Sequence, residues 1–189
     1  TGLTIPSGIT FDEQGNIYVV DSDNHRIMKY NSSRVFITSW GSSGTGDSNF
    51  SYPERIVSDG EGAQKLIQVD VTGATSKKSA HKIGLAIANS PLVKTAIAGG
   101  DANWGRVVMA VGKSGEKANS NSISVCFGKT TIAEKGAVVE GYDEAPVAEH
   151  LQGREIHLAV DVGLGNGKST VWTCDLTHGY IDINADYRS

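Results

Sequence analysis

One glycine-rich run contains the residue types that cradle phosphate in nucleotide-binding loops: Gly163-Leu164-Gly165-Asn166-Gly167-Lys168-Ser169-Thr170. The spacing argues against that chemistry, because the first glycine of a G-x-x-x-x-G-K-S loop would fall on Val162. The run also lies between two predicted strands, whereas a phosphate loop joins a strand to a helix. We therefore interpret it as a hairpin turn.

The cysteines and histidines are the other side chains that could bind a metal or act as nucleophile and base. Cys126 and Cys174 lie in apolar, strand-like runs and form no CxxC or Cys/His cluster, so we interpret them as buried, reduced thiols. None of the histidines has a Ser/Asp or Cys partner in the pattern, and we interpret them as structural or exposed: His25, His81, His150, His157 and His178. The sequence predicts neither a metal site nor a cofactor.

Length, charge and hydropathy exclude several classes of partner. The 189 residues are enough for one domain with a core or for two small units. A net charge of −4 gives no bulk attraction to nucleic acid or to an anionic membrane. No apolar run approaches the ~20 residues of a membrane-spanning helix, and no signal-peptide pattern precedes the first strand. We expect a cytoplasmic protein with no nucleic-acid partner and no membrane partner, and the reduced cysteines favour the same compartment.

Residues 1–55 alternate with a period of two between turns rich in Gly, Ser, Asn and Asp. Three strands are predicted, at residues 17–20, 26–30 and 35–40. Hairpins that follow one another at this spacing are typical of one blade of a β-propeller.

This segment resembles an NHL repeat, a propeller blade with interaction roles. The matching residues are Pro6-Ser7-Gly8-Ile9, Asp12, Gly15-Asn16-Ile17-Tyr18-Val19, Asp21 and Asn24-His25-Arg26-Ile27. A second repeat begins 47 residues later and then stops, at Pro53, Ile56, Asp59 and Gly62. One blade cannot close a ring, so we expect an incomplete propeller with unpaired sheet edges.

Residues 56–189 have the pattern of an α+β domain with a mostly antiparallel sheet. A helix begins near Thr75 and ends or changes direction at Pro91, and a second runs from Trp104 to Lys113 with Asn103 as its N-cap. A short helix is predicted over residues 145–151. Strands are predicted over residues 64–71, 122–127, 130–133, 155–162 and 169–176.

The same segment resembles ornithine acetyltransferase, and four motifs occur in the order of that family. They are Ser58-Asp59-Gly60-Glu61-Gly62-Ala63, Ser90-Pro91-Leu92-Val93-Lys94-Thr95-Ala96, Gly100-Asp101-Ala102-Asn103-Trp104-Gly105-Arg106, and Asp175 to Ser189, which reads DLTHGYIDINADYRS. The resemblance implies acetyl transfer from N-acetylornithine to glutamate in arginine biosynthesis, with acetyl-CoA as a donor in some members. It also implies a precursor that cleaves itself before a threonine, whose hydroxyl then takes the acetyl group as an ester.

The resemblance assigns substrate binding to Glu61, Asn184 and Ser189, and implies a complementary α-chain as a possible partner. Each of these residues also has a plainer interpretation: Glu61 as an exposed turn residue, Asn184 and Ser189 as parts of a chain end. Asp101, Asn103 and Trp104 are better explained as a glycine turn, a helix cap and a packed aromatic ring.

The segment that carries the family's threonine nucleophile has no counterpart in the sequence. Thr1 is followed directly by the NHL pattern, whereas the family nucleophile begins an apolar strand, so we do not expect Thr1 to be a nucleophile and we assign no catalytic residue. We expect little or no catalysis from this chain alone. The alternatives are an NHL-type interaction module without enzymatic activity, and an artificially joined chain with no function of its own.

Overall fold

The computed structural model describes residues 2–12, 14–44, 49–50, 53, 56, 60 and 62–185, with Asn184 by its backbone only. Two compact units are present, Thr1–Asp59 and Gly60–Ser189. The sequence places the change after residue 55, a position that itself lies outside the described residues. The domain limits 1–55 and 56–189 therefore stay a prediction.

The first unit is a four-stranded antiparallel sheet in the order β1-β2-β3-β4. Its strands are Pro6–Phe11, Ile17–Asp21, Arg26–Tyr30 and Phe36–Trp40. The central strands bury Val20 and Met28, whereas every residue of β4 is exposed. This is the single blade that the alternation predicted, with β1 as a further strand that the sequence reading did not define. Of the four residues that define the expected second repeat, Asp59 lies outside those described.

Asp21 holds together two turns of the blade. Asp21 has a fully buried side chain and accepts hydrogen bonds from the Thr4 backbone N–H at 3.0 Å and from Asn24 and Arg26 at 2.9 Å. Burial by itself would raise the pKa of Asp21, but these hydrogen bonds and the Arg26 charge outweigh it and lower the pKa below the ordinary aspartate value. The NHL-type residues are thus the ones that hold the turns of this sheet.

The second unit is built on a six-stranded sheet in the order β10-β5-β9-β6-β7-β8. Only the pair β5–β9 is parallel, so the prediction of a mostly antiparallel sheet is confirmed. The strands are β5 Leu66–Ala74, β6 Ser124–Phe127, β7 Thr130–Glu134, β8 Ala137–Val138, β9 Glu155–Asp161 and β10 Gly167–Cys174.

Five helices accompany this sheet among the residues described: α1 Lys77–Ala88, α2 Pro91–Ala98, α3 Trp104–Lys113, α4 Ala145–Gln152 and α5 His178–Ala185. Helix α1 packs on β5 and β10, and α2 and α3 pack beside α1. The core between the helices and the sheet is aliphatic and includes Ile67, Ile83, Ile156 and Leu158, each at most 1% exposed. This core fixes the ends of β5, β10 and α2, between which the candidate site lies.

The hairpin interpretation of residues 163–170 is wrong. Strands β9 and β10, which this run connects, are not neighbours, because β5 lies between them and pairs with both. The run therefore crosses the end of β5, and its glycines permit the close approach. A Cβ atom on Gly167 would lie 2.3 Å from the Ser76 carbonyl carbon.

Candidate substrate-binding site

A cavity of about 630 Å³ lies in the second unit where three separate parts of the chain meet. These parts are the turn before β5, the C-terminal end of α2, and the segment that joins β10 to α5. The lining residues are Gly62, Gln64, Thr95, Ala98, Gly99, Leu176, Thr177, His178, Gly179 and Ile181. Three of the four sequence motifs that carried the family resemblance thus contribute lining residues to one cavity.

Gly62 forms the turn on one side of the cavity and touches the C-terminal segment directly. Its φ of 72° lies in the left-handed region that favours glycine, and an added Cβ would lie 2.5 Å from the carbonyl carbon of Gly179. Its carbonyl oxygen accepts a hydrogen bond from Thr177 Oγ1 at 2.5 Å. The same Oγ1 accepts the backbone N–H of Gly179 at 3.1 Å, so one hydroxyl links both segments.

Asp175 joins the same two segments one step further from the cavity. It is only 2% exposed, and its Oδ1 accepts the backbone N–H groups of Gln64 at 2.8 Å and Lys65 at 2.9 Å. Its own N–H donates to the Lys65 carbonyl at 3.2 Å. Asp175 Oδ2 is buried and has no hydrogen-bond partner within the part of the chain that the structure describes.

Lys65 connects the turn before β5 to the C-terminal end of α2. Lys65 Nζ donates to the Ile97 carbonyl at 2.7 Å and to the Ala98 carbonyl at 3.4 Å, which places a cation at the negative end of the helix dipole. Helix α2 begins with Ser90 as N-cap and Pro91 in its first turn, an arrangement that needs no amide from proline. The Gly99–Gly100 turn follows, with Gly100 at φ 74°.

The Gly100–Arg106 motif has structural roles among the described contacts. Asn103 Oδ1 caps α3 by accepting the Arg106 N–H at 3.2 Å, and its Nδ2 donates to Asp101 Oδ2 at 3.0 Å. Trp104 packs against the core, and the Arg106 guanidinium donates to the Leu92 carbonyl of α2 at 2.9 Å. These contacts support the cap-and-packing interpretation of Asp101, Asn103 and Trp104.

The residues to which the sequence assigned substrate binding are not among the described side chains. Glu61 and Ser189 lie outside the described residues, as does Thr1, and Asn184 is described only as part of helix α5. Their roles stay predictions. The structure adds Thr177 and Gln64, which the sequence reading passed over although Thr177 stands inside the C-terminal motif.

His150 and His157 form a pair that the sequence reading did not anticipate. His150 Nε2 accepts the His157 backbone N–H at 2.9 Å, and the two rings meet edge to face with centroids 6.3 Å apart. Burial chiefly lowers the pKa of His150, and repulsion from His157 adds to the effect. This pair lies beside the β6–β7 turn and does not line the cavity.

Two further findings concern the described residues only. No group of three or more His, Cys, Asp or Glu side chains stands close enough to hold a metal ion. No helix among them has both the length and the apolar character needed to cross a membrane.

Comparison with known proteins decides the family. The family model for ArgJ matches residues 51–189, and the model for the NHL repeat matches residues 3–30. The chain belongs to the ArgJ family. Both predicted resemblances are therefore confirmed, although the NHL match is shorter than the 55 residues expected.

Individual ArgJ relatives align with the same part of the chain. The arginine biosynthesis bifunctional protein ArgJ of Gluconobacter oxydans is 68% identical over 134 residues, which cover 71% of this chain and 32% of that protein. The protein of the same name from Zymomonas mobilis is 65% identical over 136 residues, which cover 72% and 33%. The chain thus spans about a third of the length of these curated relatives.

A solved ArgJ structure supports the fold. The crystal structure of arginine biosynthesis bifunctional protein argJ from Bacillus halodurans is 41% identical, with a TM-score of 0.66, and the match covers 68% of this chain and 61% of that one. The α+β class predicted from the sequence is confirmed.

Proposed function

We propose that residues 60–189 supply the amino-acid-binding part of an acetyl-transfer site, which moves the acetyl group of N-acetylornithine to glutamate in arginine biosynthesis. The observation that carries the proposal is the cavity at which the Gly62 turn, α2 and the C-terminal motif meet. Membership of the ArgJ family supports the class of reaction.

In this proposal Glu61 holds an ammonium group of the substrate, and Asn184 and Ser189 hold its polar atoms from the C-terminal side. Glu61 directly precedes Gly62, whose carbonyl is fixed by Thr177, and Asn184 belongs to α5, whose first residues line the cavity. A carboxylate facing an ammonium group forms a charge-assisted hydrogen bond, which is stronger than a neutral one.

The proposal expects weak binding by this chain alone. Net contributions of roughly 0.5–3 kcal/mol per hydrogen bond, for two or three bonds, oppose about 4 kcal/mol or more of lost translational and rotational freedom. At the favourable end of these ranges about 4 kcal/mol remains, so the dissociation constant for ornithine should be no tighter than roughly millimolar.

Calorimetric titration of the 189-residue chain with ornithine at low salt tests the binding claim. We expect saturable binding near the millimolar range that weakens at least about fivefold in Glu61→Gln, because a neutral amide loses the charge-assisted bond. Glu134→Gln, an exposed position on β7, is the matched control and should bind like the parent. Absence of saturable binding, or equal weakening in both variants, would refute the assignment.

We further propose that this chain does not form an acetyl-enzyme by itself. An ester intermediate needs a hydroxyl beside a base and an oxyanion site, and the sequence has no counterpart of the family's nucleophile segment. Incubation with N-acetylornithine should leave the intact mass unchanged. A stoichiometric acetyl adduct on Thr1 would overturn this statement.

The NHL-like unit favours a second, separate function as a protein-interaction blade. Residues 3–30 match the NHL model, and β4 exposes Phe36, Ile37 and Trp40, each more than 40% exposed. We propose that this unit takes no part in amino-acid binding. Deleting residues 2–55 should leave the ornithine titration unchanged, and a lost or weakened titration would contradict the separation of roles.

A further inference from the structure

We propose that Asp175 and Thr177 are positioning residues of the substrate site, which hold the turn from Gly62 to Lys65 against the segment leading into α5. The proposal rests on the amino-acid-binding role proposed above. It assigns to these two residues, of which Thr177 also lines the cavity, the task of fixing the backbone that leads to Glu61.

These contacts begin where the pairing of β5 with β10 ends. The ladder between β5 and β10 ends at the Leu66–Cys174 pair, and beyond it the two segments are no longer joined as strands. The amides of Gln64 and Lys65 would lack a ladder partner there, and the Asp175 carboxylate accepts both of them. A side chain thus extends the connection past the end of the sheet, in the direction of the cavity.

The contacts recur at every second residue of the segment that leads from β10 to α5. Asp175 binds the amides of Gln64 and Lys65, Thr177 binds the Gly62 carbonyl, and Gly179 lies in backbone contact with Gly62. Residues Gly62, Gln64, Leu176, Thr177 and Gly179 all line the cavity. The contacts therefore form one wall of it, and loosening them changes the cavity as well as the stability of the fold.

The chemistry of the Asp175 carboxylate also favours a positioning role. Asp175 is 2% exposed, and its Oδ2 has no hydrogen-bond partner among the described residues. Burying a carboxylate in this way costs more free energy than burying an apolar side chain. Its Oδ1 accepts two amides at once, which fixes the direction of the chain between them. Apolar packing could not set that direction, because it does not depend on orientation.

The test uses the 189-residue chain and combines amide hydrogen exchange, read by NMR, with ornithine titration. In Asp175→Ala we expect the Gln64 and Lys65 amides to exchange at least about tenfold faster, while the Val69 and Val71 amides in mid-strand change less than about twofold. The ornithine dissociation constant should rise at least about fivefold, because the wall is no longer fixed.

Two variants separate positioning from charge and from lost stability. Asp175→Asn keeps an acceptor oxygen but loses the charge, so its ornithine affinity should stay within about threefold of the parent. Asp70→Asn makes the same chemical change on β5, where Asp70 accepts hydrogen bonds from Thr170 and Gln68, and should leave affinity unchanged. Should Asp175→Ala fail to fold, Thr177→Val carries the test through the Gly179 amide and the same titration.

The outcomes are distinct. If the parent chain binds no ornithine, the proposed function fails, and the exchange pattern still decides whether Asp175 holds the turn. Unchanged exchange at Gln64 and Lys65 in Asp175→Ala overturns the inference. So does an affinity loss in Asp175→Asn as large as in Asp175→Ala, since charge would then explain it. Equal losses in Asp175→Ala and Asp70→Asn would show a merely structural role.

Discussion

Replacing Gly62 with alanine is expected to destabilise the second unit far more than the same change at Gly100. Both glycines have nearly the same backbone conformation, with φ of 72° and 74°. They differ in their surroundings. A Cβ added to Gly62 would lie 2.5 Å from the Gly179 carbonyl carbon, 2.6 Å from the Tyr180 nitrogen and 2.9 Å from the Gly179 Cα. A Cβ added to Gly100 would have no neighbour within 4 Å among the described residues.

The expected magnitudes follow from this difference. An alanine in the left-handed region costs about 1–2 kcal/mol, and this term is common to both variants. Forcing a methyl group into a filled space adds about 1–3 kcal/mol, and this term applies to Gly62 alone. We therefore expect a loss of about 2–5 kcal/mol in the free energy of unfolding for Gly62→Ala and about 1–2 kcal/mol for Gly100→Ala.

Urea unfolding followed by tryptophan fluorescence measures both values. Trp104 and Trp172 belong to the second unit, so a Trp40→Phe background confines the signal to that unit. Gly62→Ala should also weaken ornithine binding, whereas Gly100→Ala should not. Equal destabilisation by the two substitutions would show that Gly62 and Gly179 are not in contact, and the description of the cavity wall would be wrong.

Three further predictions concern the units separately. Leu158→Ala, at a fully buried position in the core, should lower the free energy of unfolding measured in urea by about 2–5 kcal/mol. Leu164→Ala, at a position that is 40% exposed, should lower it by less than about 1 kcal/mol. Similar losses would contradict the described core. The first unit should lose stability as the pH falls below the ordinary aspartate pKa, because the pKa of Asp21 is lower in the folded than in the unfolded chain. The stabilisation by the Asp21 carboxylate is therefore complete only above the pKa of the unfolded chain. An acid titration of the β2 and β3 amide signals should show this loss, and an unchanged profile in Asp21→Asn would contradict it. Limited proteolysis should cut first within residues 1–55 or near the join, because a lone four-stranded sheet has less core than the second unit; early cuts within Trp104–Lys113 would refute this order.

Local pattern predicted those elements that carry their own boundary signals. Helix α3 begins after Asn103 and ends at Lys113 as expected, because a capping side chain precedes a clear apolar stripe. Strand β5 buries Ile67, Val69 and Val71 on one face, which is the alternation visible in the sequence. The α+β class followed from the order of such elements.

The same reasoning missed α2, which begins where the sequence was interpreted as a break. Pro91 does end the run of α1, but Ser90 caps a new helix in which proline occupies the first turn. A proline in this position favours the end of one helix and the start of another equally, and the sequence does not separate the two.

Strand order and the site depended on contacts that no local pattern contains. Strands β9 and β10 follow each other in the chain, yet β5, nearly 90 residues earlier, lies between them. Likewise Thr177 meets Gly62 across a separation of 115 residues. The family resemblance pointed to both segments, but only the fold shows that one hydroxyl joins them.

The most direct test of the central claim is transfer of this segment into a complete relative. Residues 56–189 would replace the corresponding part of the Gluconobacter oxydans ArgJ protein, to which they are 68% identical over 134 residues, and acetyl transfer from N-acetylornithine to glutamate would be measured. We predict an active chimaera whose activity falls at least about tenfold in Glu61→Gln and in Ser189→Ala, while Glu134→Gln retains it. An inactive but folded chimaera, or full activity in both site variants, would contradict the account.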